Sequence, residues 1–291
     1  MHIFVTGGTG LIGSAVVPEL VSHGVRVLGL ARSDRSAEKL TQAGADVVRG
    51  ELTDLDILRQ AAKETDGVVH LAFSNDFSSG ESIAQGVAEE TAALKSMANA
   101  MLASNKPLVT TAGTPAFPGR PSTEDDPLPA EGPVSGRGQT VNKLIALSDQ
   151  GLRSISIRLP RTVHNEGHGG FAGILVQAAR DSGIAGYPGD GKQRWPAVHA
   201  KDAAALFRIA LENAPGGTAW HAVGDEGDRV VDIVTVIGEQ LGLSVKSVPP
   251  ENFGPLGMIF SQDQPASSEK TRAALGWEPQ HPSLLEDLRN L

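Results

Sequence analysis

The chain has 291 residues, a formal net charge of −9 and a sequence pI near 5.4. This acidic balance disfavours nucleic acid and anionic membranes as main partners, and the absence of cysteine excludes disulfides, thiolate catalysis and cysteine-ligated zinc. No uninterrupted apolar run reaches the roughly 20 residues of a membrane span, and the N-terminus shows no secretory leader pattern. We therefore expect a cytoplasmic protein whose partner is a small molecule.

Short apolar runs alternate with helical patterns through the first 160 residues. The predicted strands cover residues 3–6, 25–30, 45–49, 68–72, 108–111 and 154–159. The predicted helices cover residues 14–22, 37–43, 54–63, 84–103 and 140–150. This alternation predicts an α/β fold of the Rossmann type, a doubly wound parallel sheet whose strands are buried on both faces.

A glycine-rich loop joins the first predicted strand to the first predicted helix. Its residues are Thr6, Gly7, Gly8, Thr9, Gly10, Leu11, Ile12 and Gly13. The glycines fit both G-x-G-x-x-G and G-x-x-G-x-x-G, patterns in which the chain turns tightly, backbone N–H groups approach a pyrophosphate and the helix packs closely on the strand. An ordinary glycine turn is the alternative, but the strand–loop–helix context favours a dinucleotide site with phosphates at the helix N-terminus.

The end of the second predicted strand indicates which dinucleotide binds. An acidic residue there holds the ribose 2′-hydroxyl of NAD, whereas an arginine accommodates the 2′-phosphate of NADP. Arg32 and Ser33 occupy this position, Arg35 is close by, and Asp34 comes slightly late for the ribose role. The sequence therefore favours NADP, with NAD possible and with a solvated loop arginine as the alternative for Arg32.

The second half of the chain is less regular. Residues 113–138 are rich in proline, glycine and acidic residues, and their length predicts a functional loop. After residue 160 the alternation ends, with helices predicted only over 202–211 and 269–275. We expect a dinucleotide-binding Rossmann core over residues 1–160 and a smaller, mixed substrate-binding region over residues 161–291, interleaved with the core.

Five segments together resemble the NAD(P)-dependent epimerase/dehydratase family, the extended or atypical short-chain dehydrogenases/reductases. They cover residues 6–13, 49–54, 68–72, 189–202 and 275–279. The first is shared by many nucleotide-binding folds, and the last two are more selective. The resemblance implies that Glu51 and Leu52 flank the adenine, that Leu71 and Ala72 line the path to the nicotinamide ribose, and that the segment containing Leu159 lies against the nicotinamide.

The resemblance also exposes a departure at the catalytic positions. The family uses a Ser or Thr together with Tyr-x-x-x-Lys on one helix, where the four-residue spacing puts both side chains on one face. Lys143 matches the lysine, but Gln139 stands where the tyrosine is expected, and an amide cannot deliver a proton near neutral pH. For the hydroxyl group, Thr114 is preferred, with a turn threonine that bonds its own backbone as the alternative, and Thr111 is second.

The proton must then come from another group. The candidates are His164, His168, His199 and Tyr187, the only tyrosine of the chain. His164 is best placed by the resemblance, and histidine suits proton transfer near neutral pH, although a loop histidine without chemistry is the plainer interpretation. The His-x-Glu-x-His spacing from His164 to His168 is a weak metal pattern, and no metal is expected.

The substrate-facing half contributes three further candidates. Arg194 lies where the family shapes substrate binding, and its planar guanidinium suits an anionic group. Trp195 either stacks on a ring or fills the core, and Tyr187 lies nearby in the sequence. Asp202 begins the next predicted helix, where a structural charge at the helix N-terminus is the preferred role.

Two functions are consistent with these residues. The first is an NAD(P)-dependent oxidoreductase that transfers hydride to or from a carbonyl or hydroxyl carbon of a small metabolite, with an epimerase or dehydratase that retains its cofactor as a variant. The second is a non-catalytic NAD(P)-sensing protein, which the missing tyrosine favours. The helices predicted over 84–103 and 140–150 match the pair that forms a dimer interface in the family, which suggests a homodimer.

Overall fold

A computed structural model describes residues 1–74, 76, 79–132 and 134–291. The strands are β1 (His2–Thr6), β2 (Arg26–Ala31), β3 (Asp46–Arg49), β4 (Gly67–His70), β5 (Pro107–Gly113), β6 (Arg153–Leu159), β7 (Thr162–His164), β8 (Ile184–Pro188), β9 (Arg194–His199), β10 (Thr218–His221), β11 (Asp225–Arg229) and β12 (Ser244–Val248). The α-helices are α1 (Gly13–Ser22), α2 (Asp34–Gln42), α3 (Leu55–Glu64), α4 (Gly80–Met101), α5 (Ser135–Ala146), α6 (Gly170–Ser182), α7 (Ala200–Asn213), α8 (Val230–Leu241), α9 (Gly257–Phe260), α10 (Glu269–Leu275) and α11 (Leu284–Asp287). Short 3₁₀ helices cover Leu147–Gln150, Pro250–Leu256 and Leu288–Asn290.

The largest sheet of the described residues has the strand order β10-β6-β5-β4-β1-β2-β3. The pairs that β1 forms with β2 and β4 are parallel, as are the β2–β3 and β4–β5 pairs. Six of the strands follow the order 3-2-1-4-5-6 of a doubly wound dinucleotide-binding sheet. The predicted Rossmann fold is confirmed.

The strand order reverses between β1 and β4. In open α/β sheets a ligand binds beyond the carboxyl ends of the strands at such a reversal, because the helices that follow the two strands lie on opposite faces and leave a crevice. The glycine-rich loop follows β1 directly, and Leu71 and Ala72 follow β4. The topology therefore brings these two predicted segments to the same edge of the sheet.

Three helices begin earlier than predicted, and polar side chains cap two of them. Ser33 accepts a hydrogen bond from the N–H of Ser36, so α2 begins at Asp34 and not at residue 37. Ser79 caps α4 in the same way, and this helix begins at Gly80. α5 begins at Ser135, which shortens the long loop predicted over residues 113–138.

α1 continues through Pro18, which lacks the N–H that an interior helical position normally donates. Pro18 is exposed, whereas Val16, Val17 and Leu20 are buried on the opposite side. Burial of this apolar face holds the helix together despite the missing hydrogen bond.

The residues group into two compact units, and neither unit is continuous in sequence. The first unit contains residues 1–112, 127–158 and 204–220, and the second contains residues 113–126, 159–203 and 221–291. The first unit has an apolar core around Phe4, Leu94 and Met97. The division of roles at residue 160 stays a prediction.

The second unit has its own core and two small sheets. Strands β11-β9-β7 form a mixed sheet, in which β9 pairs with β7 in parallel and with β11 antiparallel, and β12 pairs with β8 in parallel. Its core includes Phe171, Trp195 and Phe260, whose ring centroids lie 5.1 to 5.8 Å apart. The predicted smaller, mixed region is therefore present.

Among the described residues, no helix combines the length and the apolar character needed to cross a lipid bilayer.

Candidate functional site

The glycine-rich loop forms a tight turn at the N-terminus of α1. Gly7 has φ of +70°, and its carbonyl accepts a hydrogen bond from the N–H of Gly10 at 3.1 Å. No side chain caps α1 at Ile12. The N–H groups of Ser14 and Ala15 donate to the carbonyl oxygens of Gly10 and Ile12, whereas those of Leu11 and Ile12 have no partner among the described residues and remain available to a ligand. An uncapped helix N-terminus attracts anions, as the pyrophosphate prediction requires.

Close packing around the loop explains why its other glycines have no side chain. A Cβ on Gly13 would lie 2.6 Å from the Cα of Gly8, and a Cβ on Gly8 would lie 2.9 Å from the Leu40 side chain. At Gly10 the nearest atom to a Cβ is the Gly7 oxygen at 3.4 Å, an ordinary contact. The protein itself therefore tolerates a side chain at Gly10, and the open space beside it fits the close approach of a phosphate.

The segment after β4 packs directly on the loop. A Cβ on Gly7 would lie 2.7 Å from the Ala72 nitrogen, and the Leu71 N–H donates to the carbonyl oxygen of Thr6. The Thr6 hydroxyl lies 2.9 Å from Nδ1 of His70. These contacts hold Leu71 and Ala72 against the loop, and the residues present fit a dinucleotide.

The charged residues after β2 differ in whether they have an ion-pair partner among the described residues. Asp34 forms an ion pair with Arg49, so its carboxylate is already neutralised. Ser33 caps α2 with its hydroxyl. Arg32 is exposed and, within the described part of the chain, forms no hydrogen bond, ion pair or ring contact. Among these residues Arg32 remains available for a 2′-phosphate.

The predicted adenine residues differ in their environment. Glu51 is exposed, and its N–H donates to the Asp54 carboxylate at 2.7 Å. Leu52 is partly buried against the core of the first unit. Their contact with adenine stays a prediction.

Three predicted catalytic residues lie in the first unit. Thr111 is buried near the end of β5, while Gln139 and Lys143 are exposed on α5. The Gln139 amide donates to the carbonyl oxygen of Ala130 at 3.4 Å. Lys143 makes no hydrogen bond or ion pair within the described ranges, so its ammonium group is available to a ligand.

Thr114 and Leu159 belong to the second unit. The N–H of Thr114 donates to the carbonyl oxygen of Leu159 at 2.9 Å, which joins the two candidate segments. The Thr114 hydroxyl is buried and has no hydrogen-bond partner among the described residues. A buried hydroxyl without a partner costs free energy, which a bound polar group would offset.

His164 is buried at the end of β7, with 1% of its surface exposed. Its Nδ1 lies 2.7 Å from Oδ2 of Asp287, which also accepts the Gly167 N–H. This carboxylate makes Nδ1 the protonated nitrogen and leaves Nε2 as the atom that can exchange a proton. Nε2 is itself buried and has no partner among the described residues.

The spacing from His164 to His168 was a weak metal pattern in the sequence, and no metal was expected there. His168 and Glu166 are exposed, unlike the buried His164. In the described residues the group with ligand-like spacing is instead His199, Asp202 and His281, whose ligand atoms lie within 4.8 Å of one another.

Hydrogen bonds already engage this second group. Asp202 accepts the N–H groups of Gln280 and His281 and lies 2.7 Å from the His281 ring, and His199 Nδ1 accepts the Lys201 N–H. Burial and the neighbouring histidines lower the pKa of His199. These contacts support the structural role predicted for Asp202.

The substrate candidates of the second unit are largely engaged by other residues. Arg194 donates through Nε and Nη2 to both carboxylate oxygens of Asp263, at 3.1 and 2.8 Å. Trp195 is fully buried in the aromatic core, which is the alternative that the sequence left open, and Tyr187 packs against the same core. The bidentate pair leaves Arg194 less free to bind an anion than predicted.

The sequence did not reveal the ion pair of the buried Glu90 with the partly buried Arg137. Arg137 donates through Nε and Nη2 to Glu90 at 2.6 and 2.8 Å, and its guanidinium lies 4.0 Å from the ring centroid of Phe73. Burial, and then the charge of Arg137, lower the pKa of His70 to about 3. Glu90 interrupts the buried face of α4, four residues after Gly86, and this pattern was the available signal.

The strand order and the glycine-rich loop define a dinucleotide-binding α/β protein. The sequence profile of the NAD dependent epimerase/dehydratase family matches residues 3–222, and the chain belongs to that family.

Individual relatives agree with this assignment. The chain is 40% identical to the uncharacterized protein YLL056C of Saccharomyces cerevisiae, over 99% of this chain and 98% of the relative. It is 29% identical to a decarboxylating sterol-4-alpha-carboxylate 3-dehydrogenase of Dictyostelium discoideum, over 85% of this chain and 78% of the relative. The dTDP-glucose 4,6-dehydratase DesIV of Streptomyces venezuelae, solved with NAD bound, shares the fold with a TM-score of 0.81 and 19% identity, over 100% and 96% of the two chains.

Proposed function

We propose that the protein is an NADP-dependent oxidoreductase acting on a carbonyl or hydroxyl group of a small metabolite. The observation that carries this proposal is the uncapped N-terminus of α1, which follows the glycine turn where the strand order of the sheet reverses. The chain also belongs to a family described as NAD dependent. When bound, the nicotinamide supplies or accepts the hydride.

The preference for NADP rests on the charges after β2. Arg32 is exposed and unpaired in the described residues, whereas Arg49 neutralises Asp34, the acidic residue nearest the position of a ribose-binding carboxylate. A free guanidinium favours the NADP 2′-phosphate through charge-assisted hydrogen bonds.

The chain's own residues take three roles. Lys143 binds the ribose hydroxyls, and the hydroxyl of Thr114, or second that of Thr111, orients the substrate oxygen. His164 exchanges the proton through Nε2, because Asp287 holds its Nδ1. Gln139 positions substrate or cofactor through its amide and transfers no proton.

The discriminating experiment combines nucleotide binding with turnover. NADPH and NADH binding is measured by fluorescence titration, and NADPH oxidation is then screened over aldehydes, ketones and nucleotide sugars. Turnover with any carbonyl compound supports the oxidoreductase. Tight binding without turnover supports the NAD(P)-sensing protein. The Gln139 amide, which donates to the carbonyl oxygen of Ala130, favours that alternative because it cannot transfer a proton. NAD(P) retained through purification supports an epimerase.

Arg32→Ala tests the cofactor preference. Loss of a charge-assisted contact to the 2′-phosphate is expected to weaken NADPH binding about 10- to 100-fold and to change NADH binding little. Arg180→Ala, at an exposed arginine of α6, is the matched control. Equal losses for both nucleotides would contradict the assignment.

His164→Gln tests the proton donor once a substrate is identified. The amide keeps a hydrogen-bond donor near Asp287 but cannot exchange a proton, so kcat is expected to fall about 100-fold or more while NADPH affinity is retained. Unchanged turnover would exclude this role.

We also propose a homodimer formed through α4 and α5. Light scattering is expected to give twice the chain mass of 30.3 kDa, and a monomer at all concentrations would contradict it.

A further inference from the structure

Four arginines of the second unit form ion pairs with carboxylates. The pairs are Arg120 with Asp126, Arg194 with Asp263, Arg229 with Asp232, and Arg272 with Glu278. Each of these guanidinium groups has its counter-charge within the protein, so none of them needs a ligand for neutralisation.

Arg161 differs because its described partners are neutral. Nη1 donates to the carbonyl oxygen of Ile259 at 3.1 Å, and Nη2 donates to Oε1 of Gln262 at 2.9 Å. Nε is buried and has no hydrogen-bond partner among the described residues. No described carboxylate lies within ion-pair distance of this guanidinium.

Aromatic rings surround the same group. The guanidinium carbon lies 5.4 Å from the ring centroid of Phe171 and 6.0 Å from that of Trp195. Ring faces attract a cation but do not supply a counter-charge. Burial lowers the pKa of Arg161 to about 10, which leaves it charged at neutral pH. A partly desolvated cation of this kind is costly unless an anion joins it.

The first turn of α6 adds positive potential beside Arg161. Phe171 belongs to this turn, and its N–H donates to the Arg161 carbonyl oxygen. The N-cap residue of α6 is Gly169, which has no side chain, and the first turn contains no acidic residue. The Thr162 hydroxyl, which is neutral, accepts the Ala172 N–H of this turn at 3.3 Å. The positive end of the helix dipole therefore reinforces the guanidinium without neutralising it.

We infer that Arg161 docks an anionic group of the substrate, a carboxylate or a phosphate, at the start of α6. Such an anion supplies the counter-charge that Arg161 lacks among the described residues, and it approaches through Nη2, whose contact with Gln262 is exposed. This inference rests on the proposed function, because it gives the substrate of that oxidoreductase a negative charge. Arg161 takes the anion-binding role predicted for Arg194.

A purely structural role for Arg161 makes a different prediction. Its bond to Ile259 would then serve only to hold the end of α9, and small anions would not affect the protein through this residue.

Thermal unfolding of the full chain separates the two roles. Sodium phosphate and sodium acetate each replace sodium chloride at constant ionic strength, for the wild type, Arg161→Gln, Arg161→Lys and Arg194→Gln. At about ten times its Kd, the preferred anion is expected to raise the Tm of the wild type and Arg194→Gln by about 2–4 °C. Arg161→Gln is expected to lose this increase and Arg161→Lys to keep part of it.

The two anions distinguish the chemistry of the substrate. A response to acetate indicates a carboxylate substrate, and a response to phosphate alone indicates a phosphorylated one. Anions bound at the glycine-rich loop shift all four proteins equally and cancel in the comparison. Equal shifts in the wild type and Arg161→Gln, or no shift in the wild type with either anion, overturn the inference.

Tryptophan fluorescence provides a second measurement that needs no Arg161 variant. Anion binding is expected to change the emission of Trp195, and Trp195→Phe removes this change while Trp220→Phe keeps it. Emission that the preferred anion leaves unaltered overturns the inference even if Arg161→Gln fails to fold. Loss of NADPH binding overturns the proposed function instead, so the two failures are distinguishable.

Discussion

At the residue scale, three glycines of one loop lack a side chain for different reasons. Gly7 has a positive φ and lies against the Ala72 backbone, and Gly13 is crowded by Gly8. Gly10 has neither constraint, since its Cβ position is free of close contacts. The sequence pattern does not distinguish these glycines, whereas in the structure backbone packing explains Gly7 and Gly13 and leaves the space beside Gly10 open.

Substitution by alanine separates these roles. Gly13→Ala is expected to lower the free energy of unfolding by about 1–3 kcal/mol, because backbone atoms must shift to admit the Cβ. Gly10→Ala is expected to leave the Tm near that of the wild type and to weaken NADPH binding, because its Cβ enters the phosphate space. Thermal unfolding and fluorescence titration measure both effects. Wild-type NADPH affinity in folded Gly10→Ala would contradict the assignment of this loop.

At the element scale, α4 and α5 are joined by polar contacts between otherwise packed helices. Glu90 on α4 accepts two hydrogen bonds from Arg137 on α5, and the hydroxyls of Thr91 and Thr140 lie 2.9 Å apart. Removal of one partner from a buried ion pair leaves an uncompensated charge, which costs more than the pair contributes.

Glu90→Ala is therefore expected to lower the free energy of unfolding by about 1–3 kcal/mol, because the partly exposed Arg137 left behind keeps some contact with water. Asp232→Ala, which breaks the exposed pair with Arg229, is the control and is expected to have a small effect. Chemical denaturation measures both. A small loss in Glu90→Ala would show that the pair does not fasten the two helices.

The long loop after β5 is hydrogen-bonded to the segment around the start of α10. Ser122 forms backbone hydrogen bonds with Pro265 and Ser267, at 2.9 and 2.8 Å, and Glu124 accepts from the backbone and hydroxyl of Thr271. The sequence predicted a functional loop here but not its attachment to the segment before α10. These bonds hold the residues that follow Thr114 against one defined partner.

At the scale of the whole molecule, two buried groups make stability depend on pH in opposite directions. His70 in the first unit has its pKa lowered to about 3, by burial and then by the charge of Arg137. Asp228 in the second unit has its pKa raised to about 6, by burial and then by the charges of Asp225 and Asp232.

The sign follows from which state binds the proton. Between about pH 6.5 and pH 3 the unfolded chain protonates His70 and the folded chain does not, so His70 lowers stability as the pH falls, by up to about 1.4 kcal/mol per pH unit. Between about pH 6 and pH 4 the folded chain protonates Asp228 and the unfolded chain does not. Asp228 therefore lowers stability as the pH rises through this range.

Two variants separate these contributions when Tm is measured at about pH 7.5 and about pH 5. His70→Asn is expected to lose less stability on acidification than the wild type. Asp228→Asn is expected to be more stable than the wild type at the higher pH and to lose more on acidification. His168→Gln controls for removal of an exposed histidine, and parallel profiles for all four proteins would contradict both assignments.

The sequence by itself determined the Rossmann sheet and its glycine turn. These features are local: the alternation of apolar runs and the glycine spacing can each be read within a short segment. Element boundaries were less accurate, because a cap such as Ser33 or Ser79 depends on the conformation of a few backbone atoms.

Only the tertiary structure decided which charges are available for chemistry. Asp263 lies 69 residues from the arginine it neutralises, Asp287 lies 123 residues from His164, and Arg137 lies 47 residues from Glu90. A side chain's charge is read from the sequence, but its partner is set by long-range packing. Arg194 therefore has a counter-charge within the described residues and Arg161 does not, because folding brings a carboxylate to the first and neutral oxygens to the second.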